Sequence, residues 1–231
     1  MKVIVIIPAY NEQDSIQKVV NSIYEQYNDI EVLVVNDGST DNTLSEAKQT
    51  KATVIDLPCN LGIGGAVQTG YLYAFRNNYD IAIQVDADGQ HDVEYIKQMQ
   101  ELIEKGQANM VIGSRFIEDT GYKQTFARML GIRVNSWIIK IFTKTKIYDT
   151  TSGFRASDKE IIESFARNYP YDYPEPCTNM QMILKGKKIK EIPVKMHKRT
   201  TGVSSISPLK SVKYMLKVTL SLFLMKIKKD S

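Results

Sequence analysis

Short runs of Val and Ile, each followed by a helical stretch, constrain this chain more than any other feature. Lys2–Ile7, Ile30–Val35, Thr53–Leu57 and Asp80–Val85 read as buried strands, with Asn109–Gly113 as a fifth. Between the first two lies Asp14–Gln26, whose Ile16, Val19, Val20 and Ile23 fall at helical spacing and whose start Asp14 or Ser15 can cap. Thr43–Thr50, Gly64–Arg76 and Val93–Lys105 fill the other gaps as helices. This βαβα order predicts a mostly parallel central sheet flanked by helices, joined by right-handed crossovers. Ligands bind such sheets beyond the carboxyl ends of the strands. Three polar segments stand there: Pro8–Glu12 after the first strand, Asn36–Asp41 after the second, Asp86–His91 after the fourth. One composite site is the expectation.

Beyond residue 114 the pattern loosens. Thr125–Lys144 reads as a helix with Met129, Leu130, Ile132, Trp137, Ile138 and Ile141 on its apolar face. A turn-rich stretch over Tyr148–Arg155, a helix near Ser157–Asn168 and a Tyr/Pro-rich loop over Tyr169–Pro176 follow. Thr178–Lys185 resumes helix and Lys188–Val194 strand. No repeat or linker divides the chain, and 231 residues suffice for one core without disulfides. The expected organisation is an α/β domain over 1–208 and a basic amphipathic helix over 209–231.

The net charge of +4 conceals a split. Residues 1–184 carry 17 Lys/Arg and 24 Asp/Glu, whereas 185–231 carry 13 Lys/Arg and 2 Asp/Glu. An acidic body does not suit a nucleic-acid binder, and 43% hydrophobic residues exclude a disordered chain. Cys59 and Cys177 read as ordinary thiols of a reducing cytoplasm. The apolar start is too short for a signal peptide, and Val218–Met225 is too short to cross a bilayer, which takes roughly 20 apolar residues. Lys210–Lys229 places apolar residues at helical spacing among lysines. It reads either as a helix packed on the body with its lysines in water, or as one lying on an anionic membrane.

Asp86-Ala-Asp88-Gly-Gln90, just past a hydrophobic strand, also has two readings. One is a solvated turn; the other is a site for Mg²⁺ or Mn²⁺, whose hard oxygen ligands it supplies and which completes its shell with substrate phosphates. Pro8-Ala-Tyr-Asn-Glu12 and Asn36-Asp37-Gly-Ser-Thr-Asp41 can hydrogen-bond a base or ribose, or serve as turn chemistry alone. Asn60-Leu-Gly-Ile-Gly-Gly-Ala66 suggests a phosphate cradle at a helix start, without the spacing of a P-loop or a dinucleotide fingerprint.

Taken in order, these segments resemble the signature of family-2 glycosyltransferases of GT-A fold, most nearly the dolichol/polyprenyl-phosphate sugar transferase branch. The resemblance continues through Gly113-Ser-Arg-Phe116, Asp149-Thr-Thr-Ser-Gly-Phe-Arg155 and Arg199-Thr-Thr-Gly-Val-Ser-Ser205. It implies that Pro8, Ala9, Tyr10, Glu12, Asp37, Asn60 and Gly62 hold the nucleotide-sugar donor, together with Asp86, Ala87, Ser152 and Gly153. Asp88, Gln90 and Asp86 would surround the metal, with Asp88 and Gln90 as the direct ligands. Arg115 and Arg128 would meet an acceptor phosphate. Arg155 and Arg199 join Asp88 and Glu175 as the catalytic set, Arg199 on a loop that closes over the donor.

Two departures matter. Asn36 stands where Asp is common, and the Tyr/Pro-rich loop offers one acid, Glu175, where many relatives that glycosylate a hydroxyl carry a pair. A hydroxyl acceptor needs a base, and an ionised phosphate does not. The expected function is inverting, metal-dependent transfer of a sugar to a polyprenyl phosphate, by a cytoplasmic protein peripheral to the inner face of the membrane. The alternatives are a soluble transferase extending a saccharide with Glu175 as base, and a nucleotide-sugar-binding protein without turnover. Donor sugar and oligomeric state are not encoded in these motifs.

Overall fold

The computed structural model describes residues 1–118, 126–171, 174–197 and 217–226. Its elements run β1 (Val3–Ala9), α1 (Ile16–Gln26), β2 (Glu31–Asn36), α2 (Thr43–Lys48), β3 (Thr53–Asp56), α3 (Gly62–Arg76), β4 (Ile81–Gln84) and α4 (Tyr95–Glu104). After these come β5 (Met110–Ser114), α5 (Phe126–Thr143), β6 (Arg155–Asp158), α6 (Lys159–Arg167), α7 (Pro174–Leu184) and β7 (Ile189–Pro193). A further helix covers 217–226. The strands form one sheet in the order β3-β2-β1-β4-β6-β5-β7. As expected, it is mostly parallel and covered by helices on both faces.

Alternation along β1 builds two cores at once. Val3, Val5 and Ile7 pack with Ile16, Val20 and Ile23 of α1 and with Ile96 and Met99 of α4. Ile4 and Ile6 face the other way, into a core shared with Val67 and Tyr71 of α3 and Phe165 of α6. Both faces of β1 are therefore apolar, which explains its unbroken Val/Ile composition.

The sequence expectation erred at β6. Arg155–Asp158 contains no Val or Ile and gives no strand signal, yet it pairs antiparallel with both β4 and β5. Ser157 lies in this strand, and α6 starts two residues later, capped by Asp158, whose Oδ1 accepts the Ile161 N–H at 2.9 Å. The reversal has a consequence for function. Because β6 runs against its neighbours, its amino end lies at the carboxyl edge of β4, with Arg155 opposite Gln84. Residues 149–154 are thereby delivered to the edge where the other polar loops gather.

α7 begins at Pro174 rather than near Thr178. Pro174 and Pro176 occupy its first turn, where the missing N–H groups need no partner in the helix. In the 217–226 helix, Val218 and Leu222 are fully buried in the core that holds Ile138 and Ile139 of α5, and Phe223 meets Phe142 edge-on at 5.0 Å. One face of this helix therefore packs on the body. The expected boundary at 208/209 and the lysines at 210, 213, 228 and 229 lie outside the described residues.

Candidate active site

A cavity of about 730 Å³ opens at the carboxyl edge of the sheet. Pro8, Ala9, Tyr10 and Glu12 line it from the end of β1, Asp37 from β2, and Asn60 and Gly62 from the start of α3. Asp86, Ala87, Asp88 and Gln90 enter after β4; Arg115 follows β5, and Arg128 reaches in from α5. Gly153 and Glu175 complete the set of expected residues brought together here. Ser152 and Arg155 are placed differently. Both are about 1% exposed and lie within the wall rather than on the cavity surface. Arg199 lies outside the described residues.

The loops after β1 and β2 brace each other. The Asn11 N–H donates to Ser39 Oγ at 3.0 Å, Thr40 N–H to Asn11 Oδ1 at 2.8 Å, and Glu12 N–H to Thr43 Oγ1 at 2.8 Å. Polar side chains in these loops thus replace the missing ladder and fix the mouth of the cavity. Asp37 Oδ1 accepts the Leu61 N–H at 2.7 Å, fastening the entry of α3. Burial raises the Asp37 carboxyl above its ordinary range, against the pull of the Leu61 and Gly62 N–H groups. Asn36 turns away toward β3, its Nδ2 donating to Asp56 Oδ1 at 2.7 Å. Its departure from the usual Asp therefore falls on a side chain that does not line the cavity.

The acidic centre is tightly specified. Asp88 Oδ1 accepts the Gln90 N–H at 3.0 Å, closing the turn that projects Asp88 into the cavity. Gly153 presses on Asp86: a Cβ there would sit 2.9 Å from Asp86 Oδ1 and 3.1 Å from Oδ2, so only glycine fits without displacing the carboxylate. Among the described residues no group of three or more His, Cys, Asp or Glu forms a ready-made metal cage. Two carboxylates and an amide oxygen instead fit a hard divalent cation that draws its other ligands from a diphosphate and water.

Arg115 is held bidentately. Its Nε and Nη2 donate to Asp149 at 2.7 and 2.8 Å, and Nη2 also to Thr151 Oγ1 at 2.9 Å. The Asp149 side chain is fully buried, so this pair fixes the guanidinium at the cavity wall. Arg155 donates from Nε to the Ser152 carbonyl and from Nη1 to Thr178 Oγ1, both at 2.7 Å, while its buried Nη2 has no hydrogen-bond partner among the described residues. It acts on the cavity through its charge. Burial raises the Glu175 carboxyl above its ordinary range, and the Arg155 charge opposes that rise. A raised carboxyl favours the fold most fully below its unfolded pKa, and that contribution is lost as pH rises through the folded value. Glu175→Gln is therefore expected to remove a decline in stability with rising pH above the ordinary carboxylate range, as read from urea melts between pH 4 and 8.

Sequence reasoning assigned no role to His91, Asp149, Thr151 or Met196. Asp149 stood within a quoted motif, but only the fold shows that it grips Arg115. His91 and Met196 both line the cavity, and their backbones pair as an isolated antiparallel bridge.

Residues 4–165 match the model for glycosyl transferase family 2, and the chain belongs to that family. It is 27% identical over 217 residues to polyprenol monophosphomannose synthase of Mycolicibacterium smegmatis, covering 89% of this chain and 81% of that one. With the UDP-N-acetylglucosamine–dolichyl-phosphate N-acetylglucosaminyltransferase of Methanococcus voltae it shares 30% over 210 residues, covering 82% and 83%. The fold matches glucosyl-3-phosphoglycerate synthase of Mycobacterium tuberculosis bound to Mn²⁺, UDP and phosphoglyceric acid, with a TM-score of 0.70 at 19% identity over 97% of this chain and 78% of that one. The protein is a family-2 glycosyltransferase with the GT-A architecture.

Proposed function

We propose that this enzyme moves a sugar from a nucleoside-diphosphate donor to a polyprenyl phosphate, with inversion, at the inner face of the membrane. The observation that carries this reading is the surface beyond Arg115. That residue also lines a second cavity of about 660 Å³, where Met129, Ile132 and Trp137 stand among Arg133, Lys140 and Lys146. Apolar and cationic side chains together suit an anion carrying a hydrocarbon chain. The curated relatives, named for transfer to lipid phosphates, support the same acceptor.

The roles follow from position. Pro8, Ala9, Tyr10, Glu12 and Asp37 receive the base and ribose, and Asn60 and Gly62 approach the phosphates. Asp88 and Gln90, with Asp86 beside them, hold Mg²⁺ or Mn²⁺, which when bound offsets charge on the departing diphosphate. Arg115 and Arg128 orient the acceptor phosphate, one oxygen of which attacks the anomeric carbon. The new C–O bond forms as the bond to the donor's β-phosphate oxygen breaks, and that oxygen keeps the electron pair. No proton moves, because the acceptor is already ionised. The wall residues Ser152 and Arg155 act by positioning.

A membrane orientation fits the outer surface. Trp137 and Ile141 of α5 are 63% and 53% exposed, and Leu220, Phe223 and Leu224 of the 217–226 helix are exposed as well. Lysines flank both helices, as in segments that lie in an anionic interface. The buried face of the 217–226 helix holds it on the body, which leaves its outer face for an anionic lipid surface. No helix among the described residues is long and apolar enough to cross a membrane.

The raised carboxyl of Glu175 favours a second reading, in which it serves as base for a saccharide acceptor. Transfer to polyprenyl phosphate in anionic vesicles, run beside a panel of soluble saccharides, separates the two. The lipid reading expects sugar on the vesicle lipid, and less with neutral vesicles. Sugar on the saccharides alone overturns it.

A further inference from the structure

We propose that His91 is a positioning residue that sets the Asp86 carboxylate, and that Phe154, seated over Gly113, holds the His91 ring. The His91 side chain is only 2% exposed, although it stands at the cavity wall. Its Nδ1 accepts the Asp86 N–H at 3.0 Å, which leaves the ring proton on Nε2. Nε2 in turn lies 3.4 Å from Asp86 Oδ2, near enough to donate after a few tenths of an ångström of movement. One imidazole thus meets both the main chain and the side chain of Asp86, pinning together the two ends of the loop that carries Asp88 and Gln90.

The ring itself is fixed from behind. It stacks on Phe154 with centroids 4.9 Å apart and planes 14° from parallel. Phe154 lies over Gly113, where an added Cβ would sit 2.8 Å from its Cδ1 and within 3.2 Å of Val194. The His91 backbone bridges to Met196, and the His197 N–H donates to the Gln90 carbonyl at 2.9 Å, so the main chain that carries the ring is held in place. Gly153 also crowds the carboxylate, since a Cβ there would sit 2.9 Å from Asp86 Oδ1 and 3.1 Å from Oδ2. Gly113 and Phe154 thus support the His91 ring, and Gly153 borders the Asp86 carboxylate itself. Groups that orient a ligating or substrate-facing carboxylate matter for affinity nearly as the carboxylate does.

The geometry stands apart from the donor assignment, but its effect on binding rests on the donor-site reading, so the experiment has two arms. In the first, imidazole ¹⁵N NMR of the full chain is expected to show His91 as the Nε2–H tautomer, with an Nε2 resonance that moves in Asp86→Asn. An Nδ1–H tautomer, or a resonance indifferent to Asp86→Asn, overturns the proposal. In the second, calorimetry with UDP or GDP and Mn²⁺ compares His91→Phe, which keeps the stack, with His91→Gln, which restores a donor. His91→Phe is expected to lose about 10–100-fold in affinity and His91→Gln to recover much of it. Lower melting temperatures in both with unchanged affinity would reduce His91 to a core residue and overturn the proposal. If the wild type binds neither nucleotide, the donor-site reading fails, and the tautomer and its response to Asp86→Asn alone decide the role of His91.

Discussion

Asp88→Ala is expected to cut sugar transfer by roughly 10²–10³-fold or more while leaving the melting temperature within a few degrees of wild type. Several kcal/mol of charge stabilisation pass through a cation held at such a carboxylate, and each 1.36 kcal/mol is about tenfold in rate. Asp88 is not part of the buried core; it projects from a turn closed by its own contact with the Gln90 N–H. Its loss therefore removes chemistry and little packing. Initial rates with saturating donor and Mn²⁺, beside a thermal melt, check both halves. A collapse of the melt would mean that Asp88 is structural.

Asp149→Ala should behave in the opposite way, with its main effect on the fold. The single substitution leaves the Arg115 guanidinium buried without its carboxylate, at a cost of about 3–5 kcal/mol. In a chain of this size that lowers the melting temperature by roughly 6–20 °C. Replacing both partners, as in the pair Arg115→Met and Asp149→Leu, is expected to recover much of the loss, since neither charge is then stranded. Transfer should stay low in the double variant, because the cation proposed to meet the acceptor phosphate is gone. Differential scanning calorimetry and initial rates on the three proteins separate these effects. Equal melting temperatures for the single variant and wild type would show that the buried pair contributes nothing.

The first half of the fold was legible because its strands are buried on both faces. β1, β2 and β4 announce themselves as Val/Ile runs, and their parallel order already puts three polar loops on one edge. β6 was hidden for the converse reason. Arg155–Asp158 is stabilised by its neighbours on both sides, so the strand needs no apolar pattern of its own. The start of α7 was hidden by its prolines, which read as loop but are tolerated in a first turn.

The site divides in the same way. Residues that line the cavity sit in the polar loops that the sequence marked, Pro8 to Glu12, Asp37, Asp86 to Gln90, Gly153 and Glu175 among them. What the sequence did not resolve is which motif residues face the cavity and which support the wall. Arg155 and Ser152 look like ligand contacts in a motif and prove to be buried, whereas His91 and Asp149 carry no assigned role and prove to hydrogen-bond Asp86 and Arg115. That distinction depends on the antiparallel reversal at β6, which decides how residues 149–154 meet the edge of the sheet.

The loops at the strand ends are proposed to form one donor site, assembled through Asp88. Titration of UDP and GDP into the full chain, with and without Mn²⁺, tests it most directly. One nucleotide is predicted to bind at a single site, only with the cation, and not to the folded Asp88→Ala variant. Binding that ignores both the cation and Asp88 would rule such a site out.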